Sequence, residues 1–587
     1  MKCLRFCCLI LGALLAGRAV ADDCKLREYG TLQVNMVGDR ATTLVKINGV
    51  STRFILDTGA FFNFMSNANA SALGLELEPM PWGYRISGIG GSASVQQTRV
   101  KRFGILGTTI DNVAFIVGGT DAGRGLLGAN LLDVADLELD LAHGKVVLLK
   151  ADNCEKASLA YWSKDGRYNV ADIEPTREHD RRTFMKVTIH GKELRALLDT
   201  GAVSTILGRK AAEKAGIDLN APTVKVVGNS TGIGEKTLKS WIVNVDSFSV
   251  GTETIQHSQM VVIDGKVADD TDMILGVDFV LAHHMFIANS KKKAYFTYNG
   301  GRIFTYASAP VDSDKTDIDT KPGEDESKPR TANDYYLLGQ AHLSRDETAA
   351  ALTDFDEAIR MAPDRAGYYA ARAKAHEIAR QPNEELADLD KALELNPKDA
   401  TALLMRAQIR FALKDRAGAA SDVAAASLLA PAGTILQHAV ASFYIRLDRP
   451  ADALPMLDDW IRLHDDDAML GHALAERCWA RALSNQALNE ALKDCKKAIK
   501  RDGEKPLSLN GLGLVELRLG NYSDSVKAYQ KLVAQQPQSA WSHYSLGVAE
   551  LRHGDKDAGN ADLAAGRTLD PQVEIRANKF GLTTVAQ

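Results

Sequence analysis

Between Thr43 and Ile47 apolar and polar residues alternate, and Asn48-Gly49 follows as a two-residue turn. That is the period of a half-buried strand entering a hairpin. Phe54-Ile55-Leu56 and Ala196-Leu197-Leu198 are short unbroken apolar runs, each ending at an Asp. They read as buried strands that carry Asp57 and Asp199 to a strand end. Residues 151–180 are polar and read as a connector. Pro310 to Arg330 is dense in Asp, Lys, Glu, Ser and Pro and reads as a solvated linker. From Thr331 the pattern becomes helical. Pro363, Pro397 and Pro431 are spaced 34 apart, as are Pro537 and Pro571. Pro431 and Pro537 are 106 apart, three such periods plus four extra.

The strand-rich part repeats itself. Val45-Lys-Ile-Asn-Gly-Val-Ser-Thr-Arg-Phe-Ile-Leu-Asp57 aligns without a gap to Val187-Thr-Ile-His-Gly-Lys-Glu-Leu-Arg-Ala-Leu-Leu-Asp199, at an offset of 142. Asp-Thr-Gly-Ala follows in both copies. Gly88-Ile89-Gly90 recurs as Gly232-Ile233-Gly234, and Leu126-Leu127-Gly128 as Ile274-Leu275-Gly276. Three landmarks in one order indicate two copies of one module, each bringing one carboxylate.

Two carboxylates held about 3 Å apart do not both ionise easily and share one proton. The ionised member takes a proton from an intervening water. The protonated member hydrogen-bonds a scissile carbonyl and later protonates the leaving amine. Asp57 and Asp199 are the candidate catalytic pair. Gly59 and Gly201 let the backbones approach, and the Thr58 and Thr200 hydroxyls are placed to bond across the pseudo-two-fold axis.

These motifs resemble the retropepsin-like aspartic proteases, the group that includes retroviral proteases, over roughly residues 28–300. Ala196-Leu-Leu-Asp-Thr-Gly-Ala202 is similar to the active-site strand of that family. Ile86-Ser-Gly-Ile-Gly-Gly91 is similar to the flap tip, and Leu126-Leu-Gly-Ala-Asn-Leu-Leu132 to the closing strand and helix. The resemblance implies an all-β pseudo-dimer in a single chain. It further implies that Gly88, Ile89, Gly90, Gly232, Ile233 and Gly234 form two flaps over a peptide, with Gly128 and Gly276 packed beneath the active-site loops. No cofactor is required.

The 34-residue period with a terminal Pro resembles the tetratricopeptide repeat, an all-α solenoid. Tyr335, Leu338, Gly339, Ala351, Phe355, Ala358 and Pro363 fall on its large and small positions, and Gly513 and Gly547 recur at the Gly339 position. About seven repeats are expected, forming a surface for an unidentified protein partner.

The expected organisation is a signal peptide at 1–21, lobe 1 at 22–150, a connector at 151–180 and lobe 2 at 181–306. A charged linker follows at 307–330, then repeats at 331–575 and a tail at 576–587. The signal rests on basic Met1-Lys-Cys-Leu-Arg5, an apolar run from Phe6 to Ala16, and Ala19-Val20-Ala21 as cleavage site. The run is too short to span a bilayer, and no later segment is long enough. The expected location is therefore exported, periplasmic or secreted. Removing the signal takes away three basic residues and no acid, so the formal charge moves from −5 to −8, against a nucleic-acid partner.

Four cysteines remain. Cys24 and Cys154 bracket lobe 1 and form a disulfide or stay as free thiols. Cys478 and Cys495 are either a cross-helix disulfide or packed thiols. No Cys/His cluster has metal-ligand spacing, and adjacent His283-His284 suits packing better than shared ligation. The functional expectation is an aspartic endopeptidase with a protein-binding module. The alternative is a catalytically silent peptide-binding scaffold.

Overall fold

A computed structural model describes residues 24–81, 84–132, 135–154, 157–177, 180–304 and 331–583. The expected signal peptide and the whole of the charged linker lie outside the described residues. A β-rich region is followed by a helical array, as the two sequence periods anticipate.

The two lobes repeat one topology. In lobe 1, strand Val50–Leu56 pairs antiparallel with Ala41–Ile47 and parallel with Gly125–Leu127. In lobe 2, Lys192–Leu198 pairs antiparallel with Phe184–Ile189 and parallel with Met273–Leu275. Each catalytic-type Asp therefore leaves a strand hydrogen-bonded on both edges. Flanking apolar residues Phe54, Ile55, Ala196 and Leu198 are fully buried, which explains their unbroken runs.

Between the lobes lies a joint antiparallel sheet. Its strand order is Asn169–Asp172, Lys293–Tyr298, His283–Ala288, Asp136–Asp140, Lys145–Asp152 and Lys25–Met36. Lobe 1 meets lobe 2 at Leu137↔Ile287 and Leu139↔Met285. The segment read as a polar connector contributes the strand Asn169–Asp172 and buries Leu159 and Ala160. Its few apolar residues lie against Phe286 and Tyr295 of this sheet, a tertiary placement that composition does not reveal. Disulfide Cys24–Cys154 closes the lobe-1 side of the same sheet.

The array contains fifteen helices among the described residues, from Ala332–Ser344 to Val573–Lys579. Each of the five periodic prolines stands two residues past a helix end, for example Pro363 after Thr348–Met361 and Pro537 after Tyr522–Gln535. Gly339 and Gly513 lie against the rings of Phe355 and Tyr529, where a Cβ would come within 2.7 and 2.8 Å. A second period runs through charged residues. Arg372 bridges Asp388 and Asp356 at 2.6 Å each, and 34 residues on Arg406 bridges Asp422 and Asp390 at 2.7 and 2.8 Å. These arginines tie the second helix of one repeat to that of the next. The cysteines Cys478 and Cys495 form a disulfide joining helices Leu470–Ser484 and Leu488–Asp502. The residues assigned to a tail from 576 continue the last helix, and Ala577, Phe580 and Leu582 are buried. They cap the apolar face that the final repeat would otherwise expose.

Candidate active site

Asp57 and Asp199 come together at the pseudo-two-fold axis, and their carboxyl groups hydrogen-bond each other. The backbone fixes both. Asp57 N–H donates to Leu127 O at 3.0 Å, and Asp199 N–H donates to Leu275 O at 2.9 Å. Asp57 Oδ1 accepts from the amides of Gly59 and Ala60 at 3.0 and 2.7 Å. Asp199 Oδ1 accepts from Gly201 and Ala202 at 2.8 and 3.2 Å. Both Oδ1 atoms are thus committed to their own loops. The contact across the axis leaves no space for a side chain: a Cβ on Gly59 would lie 2.3 Å from Asp199 Cγ, and one on Gly201 2.3 Å from Asp57 Cγ.

Beneath the carboxylates the threonines form a reciprocal lattice. Thr58 Oγ1 donates to Leu198 O at 2.8 Å and accepts from Thr200 N–H at 3.1 Å. Thr200 Oγ1 donates to Leu56 O at 2.7 Å and accepts from Thr58 N–H at 3.2 Å. All four groups are buried, so each bond excludes a costly unpaired polar atom. Gly128 and Gly276 pack under the two loops, where a Cβ would meet the Phe62 carbonyl at 2.4 Å and Ser204 at 2.4 Å.

Burial, then the Asp199 charge, raises the Asp57 carboxyl well above its ordinary value. Asp199 is also raised by burial, but hydrogen bonds from Asp57 and the loop amides, with the Arg40 charge, oppose this. Both carboxyls are thus held above the ordinary range by burial, and the titration belongs to the pair. Arg40 is one element of the surroundings that the two lobes do not share. Its Nη1 donates to Gly201 O at 3.2 Å. Its counterpart at the 142 offset, Arg182, is instead paired with Asp180 at 2.8 Å and lies over the Phe61 ring. The repeated Arg seventeen residues before each Asp is a signal that sequence reading could have used.

Strand Arg85–Gly88 turns back through Ile89 and Gly90 into Gly91–Ile105, giving one flap-like hairpin. The second, between Lys225–Ser230 and Leu238–Val250, carries Gly232-Ile233-Gly234 on a longer tip. The tips bond each other: Gly234 N–H donates to Ile89 O at 3.0 Å and Lys236 N–H to Gly90 O at 3.1 Å. Each isoleucine crosses to the opposite lobe. Ile233 packs with Phe64, Val95 and Ile116 of lobe 1, and Ile89 with Leu197, Val261 and Ile263 of lobe 2. Glycines at 88 and 232 permit this, since a Cβ would lie within 2.7 Å of Ile233 and 2.6 Å of Ile89 respectively.

His283 and His284 diverge to separate carboxylates, Glu253 at 3.1 Å and Glu138 at 2.8 Å. Among the described residues no cluster of three or more His, Cys, Asp or Glu is arranged to hold a metal.

Two symmetric β lobes around one carboxylate pair, followed by paired helices, define a tandem aspartic-protease region joined to a repeat solenoid. Residues 43–131 and 185–279 each match the family model described as aspartyl protease, one match per lobe. Residues 335–365, 471–540 and 510–572 match tetratricopeptide repeat models. The expected aspartic-protease and tetratricopeptide regions thus each find a matching family model.

A curated relative, the protein SGT1 homolog of Bos taurus, is 36% identical over 77 residues, 13% of this chain and 23% of the relative. The chain thus spans about a quarter of the length of that relative. Similar solved structures include YrrB, a repeat protein with an unusual peptide-binding site, at 20% identity and a TM-score of 0.24, over 38% of this chain and 97% of that one. A tetratricopeptide repeat protein from Parabacteroides merdae is 14% identical with a TM-score of 0.32, over 43% and 99%. The repeats imply protein binding. No described helix is long and apolar enough to cross a membrane.

Proposed function

We propose that the chain is an exported aspartic endopeptidase whose repeat array binds proteins. The observation that carries this reading is the mutually hydrogen-bonded Asp57–Asp199 pair, each member held by its loop amides and pressed against the other lobe's glycine. With one proton between them, the ionised carboxylate accepts a proton from water as the water oxygen attacks the peptide carbonyl carbon. The protonated carboxyl donates to the carbonyl oxygen. Collapse of the tetrahedral adduct breaks the C–N bond as a proton passes to the nitrogen. The flaps exclude bulk water from this step. Two disulfides support an oxidising compartment, periplasmic or extracellular.

The test is incubation of the full chain lacking residues 1–21 with a random peptide library, read by mass spectrometry from acid to neutral pH. Cleavage is expected, with a rate per molecule independent of protein concentration, because one chain holds both carboxylates. Absence of cleavage across that pH range overturns the proposal.

A further inference from the structure

The two flaps are not equally held. The lobe-2 flap is tied to the array through a lobe-1 loop. Thr120 N–H donates to Ile233 O at 3.3 Å, and Thr120 Oγ1 donates to Gly234 O at 3.1 Å. That same hydroxyl accepts from Ala468 N–H of the array at 3.1 Å. Beside it, Asp121 N–H donates to Asp467 Oδ2 at 2.7 Å, and His464 Nε2 lies 3.3 Å from Asp121 Oδ2. Arg501, near the end of helix Leu488–Asp502, closes the contact. Its Nη2 donates to Asp467 O at 2.7 Å and to Glu235 O at 3.4 Å, with Nη1 3.6 Å from the Glu235 carboxylate. Asp467 and His464 are 1% and 2% exposed, so this is a buried polar junction in which every partner matters.

The lobe-1 flap differs. Among the described residues, no hydrogen bond or ion pair joins residues 85–94 to the array. Among the described residues Arg85 bonds within its own hairpin, to Ser92 and Ser94.

The docking loop also coincides with the break in the repeat period. Six residues, 464–469, separate helices Pro450–Leu463 and Leu470–Ser484, where four residues, 362–365 and 396–399, serve between earlier repeats. Part of the excess between Pro431 and Pro537 is therefore the segment carrying His464, Asp467 and Ala468.

We propose that the repeat array is a working part of the peptide site. Thr120, Asp467 and Arg501 are positioning residues that hold the lobe-2 flap in its covering position. The lobe-1 flap is the one that opens to admit the peptide. The kinetic side of this rests on the endopeptidase reading; the mechanical side does not.

The experiment is amide hydrogen exchange on the full chain carrying Asp57→Asn, which prevents self-digestion, combined with kinetics on the parent. Residues 85–94 should exchange faster than 229–238 by about tenfold or more. Thr120→Val and Arg501→Ala should each raise exchange in 229–238 toward that of 85–94, whereas Thr120→Ser should retain the protection. In the active parent, Thr120→Val should raise KM several-fold, change kcat less than KM, and leave the pH profile in place. Equal exchange in the two flaps, or protection at 229–238 indifferent to both Thr120→Val and Arg501→Ala, overturns the proposal even if peptides are cleaved. A Thr120→Val effect confined to kcat also overturns it. Should no peptide be cleaved, the exchange comparison still decides.

Discussion

Lobe 1 and lobe 2 are the same machine at the axis and different machines away from it. At the axis, each Asp, Thr and Gly has a partner of the same type across the interface, at nearly matching distances. Away from it, lobe 1 carries a disulfide and docks against the array, while the lobe-2 flap is the one reached from that docking loop. The difference teaches that the two-fold correspondence is closest at the axis, in the strands that lead to it and at the flap tips. Elsewhere each copy has its own attachments. Even the carboxylates feel this, since Arg40 faces Asp199 while Arg182 is occupied by Asp180.

The largest effect should come from the symmetric part. Asp57→Asn and Asp199→Asn should each lower turnover by about 10²–10⁴-fold, because neither lobe alone holds a proton-sharing pair. Steady-state peptide hydrolysis checks this. A large loss in one variant with near-parental activity in the other would break the equivalence of the lobes.

A smaller effect should come from the asymmetric part. Cys24→Ser should lower stability by about 3–5 kcal/mol, because the bridge closes a loop of more than a hundred residues. Denaturant unfolding followed by hydrogen exchange should find the loss first in the joint sheet next to Lys145–Asp152. A loss appearing first in lobe 2 would argue that the lobes are not distinguished in this way.

The smallest effect is the pH dependence of stability. Both carboxyls are raised in the folded protein, so between the ordinary carboxylate range and the raised values the folded state binds more protons than the unfolded chain. The pair's contribution is therefore present at low pH and lost as pH rises through the folded values. Asp57→Asn should flatten this part of the Tm–pH curve and raise Tm slightly near neutrality. A steeper curve in the variant would reverse the assigned sign.

The sequence made some of this legible. The Asp-Thr-Gly duplication identified the residues that meet at the axis because identical local sequence produces identical strand ends. The prolines at 34-residue spacing marked helix ends because Pro cannot continue a helix. The repeated Gly-Ile-Gly pointed to two flaps, but the crossing of Ile89 and Ile233 was not legible. In the structure each packs on the opposite lobe, which depends on how two distant hairpins are placed. Similarly, residues 151–180 lack an alternating pattern, so their strand is fixed by the sheet they join. The four extra residues in the repeat period were visible as an irregularity. What they touch, Thr120 and Asp121, lies more than three hundred residues earlier and has no local signature.

The joint sheet has a consequence for how the chain is made. Strand Asp136–Asp140 has one edge paired by Lys145–Asp152, but its other partner, His283–Ala288, lies about 150 residues further on. While synthesis is incomplete, lobe 1 presents a bare strand edge, the kind of surface that recruits other chains. Lobe 2 therefore acts toward lobe 1 as a late-arriving intramolecular chaperone. A chain cut short before residue 283 would hold both carboxylates yet leave the Asp136–Asp140 edge unpaired, with a standing tendency to aggregate.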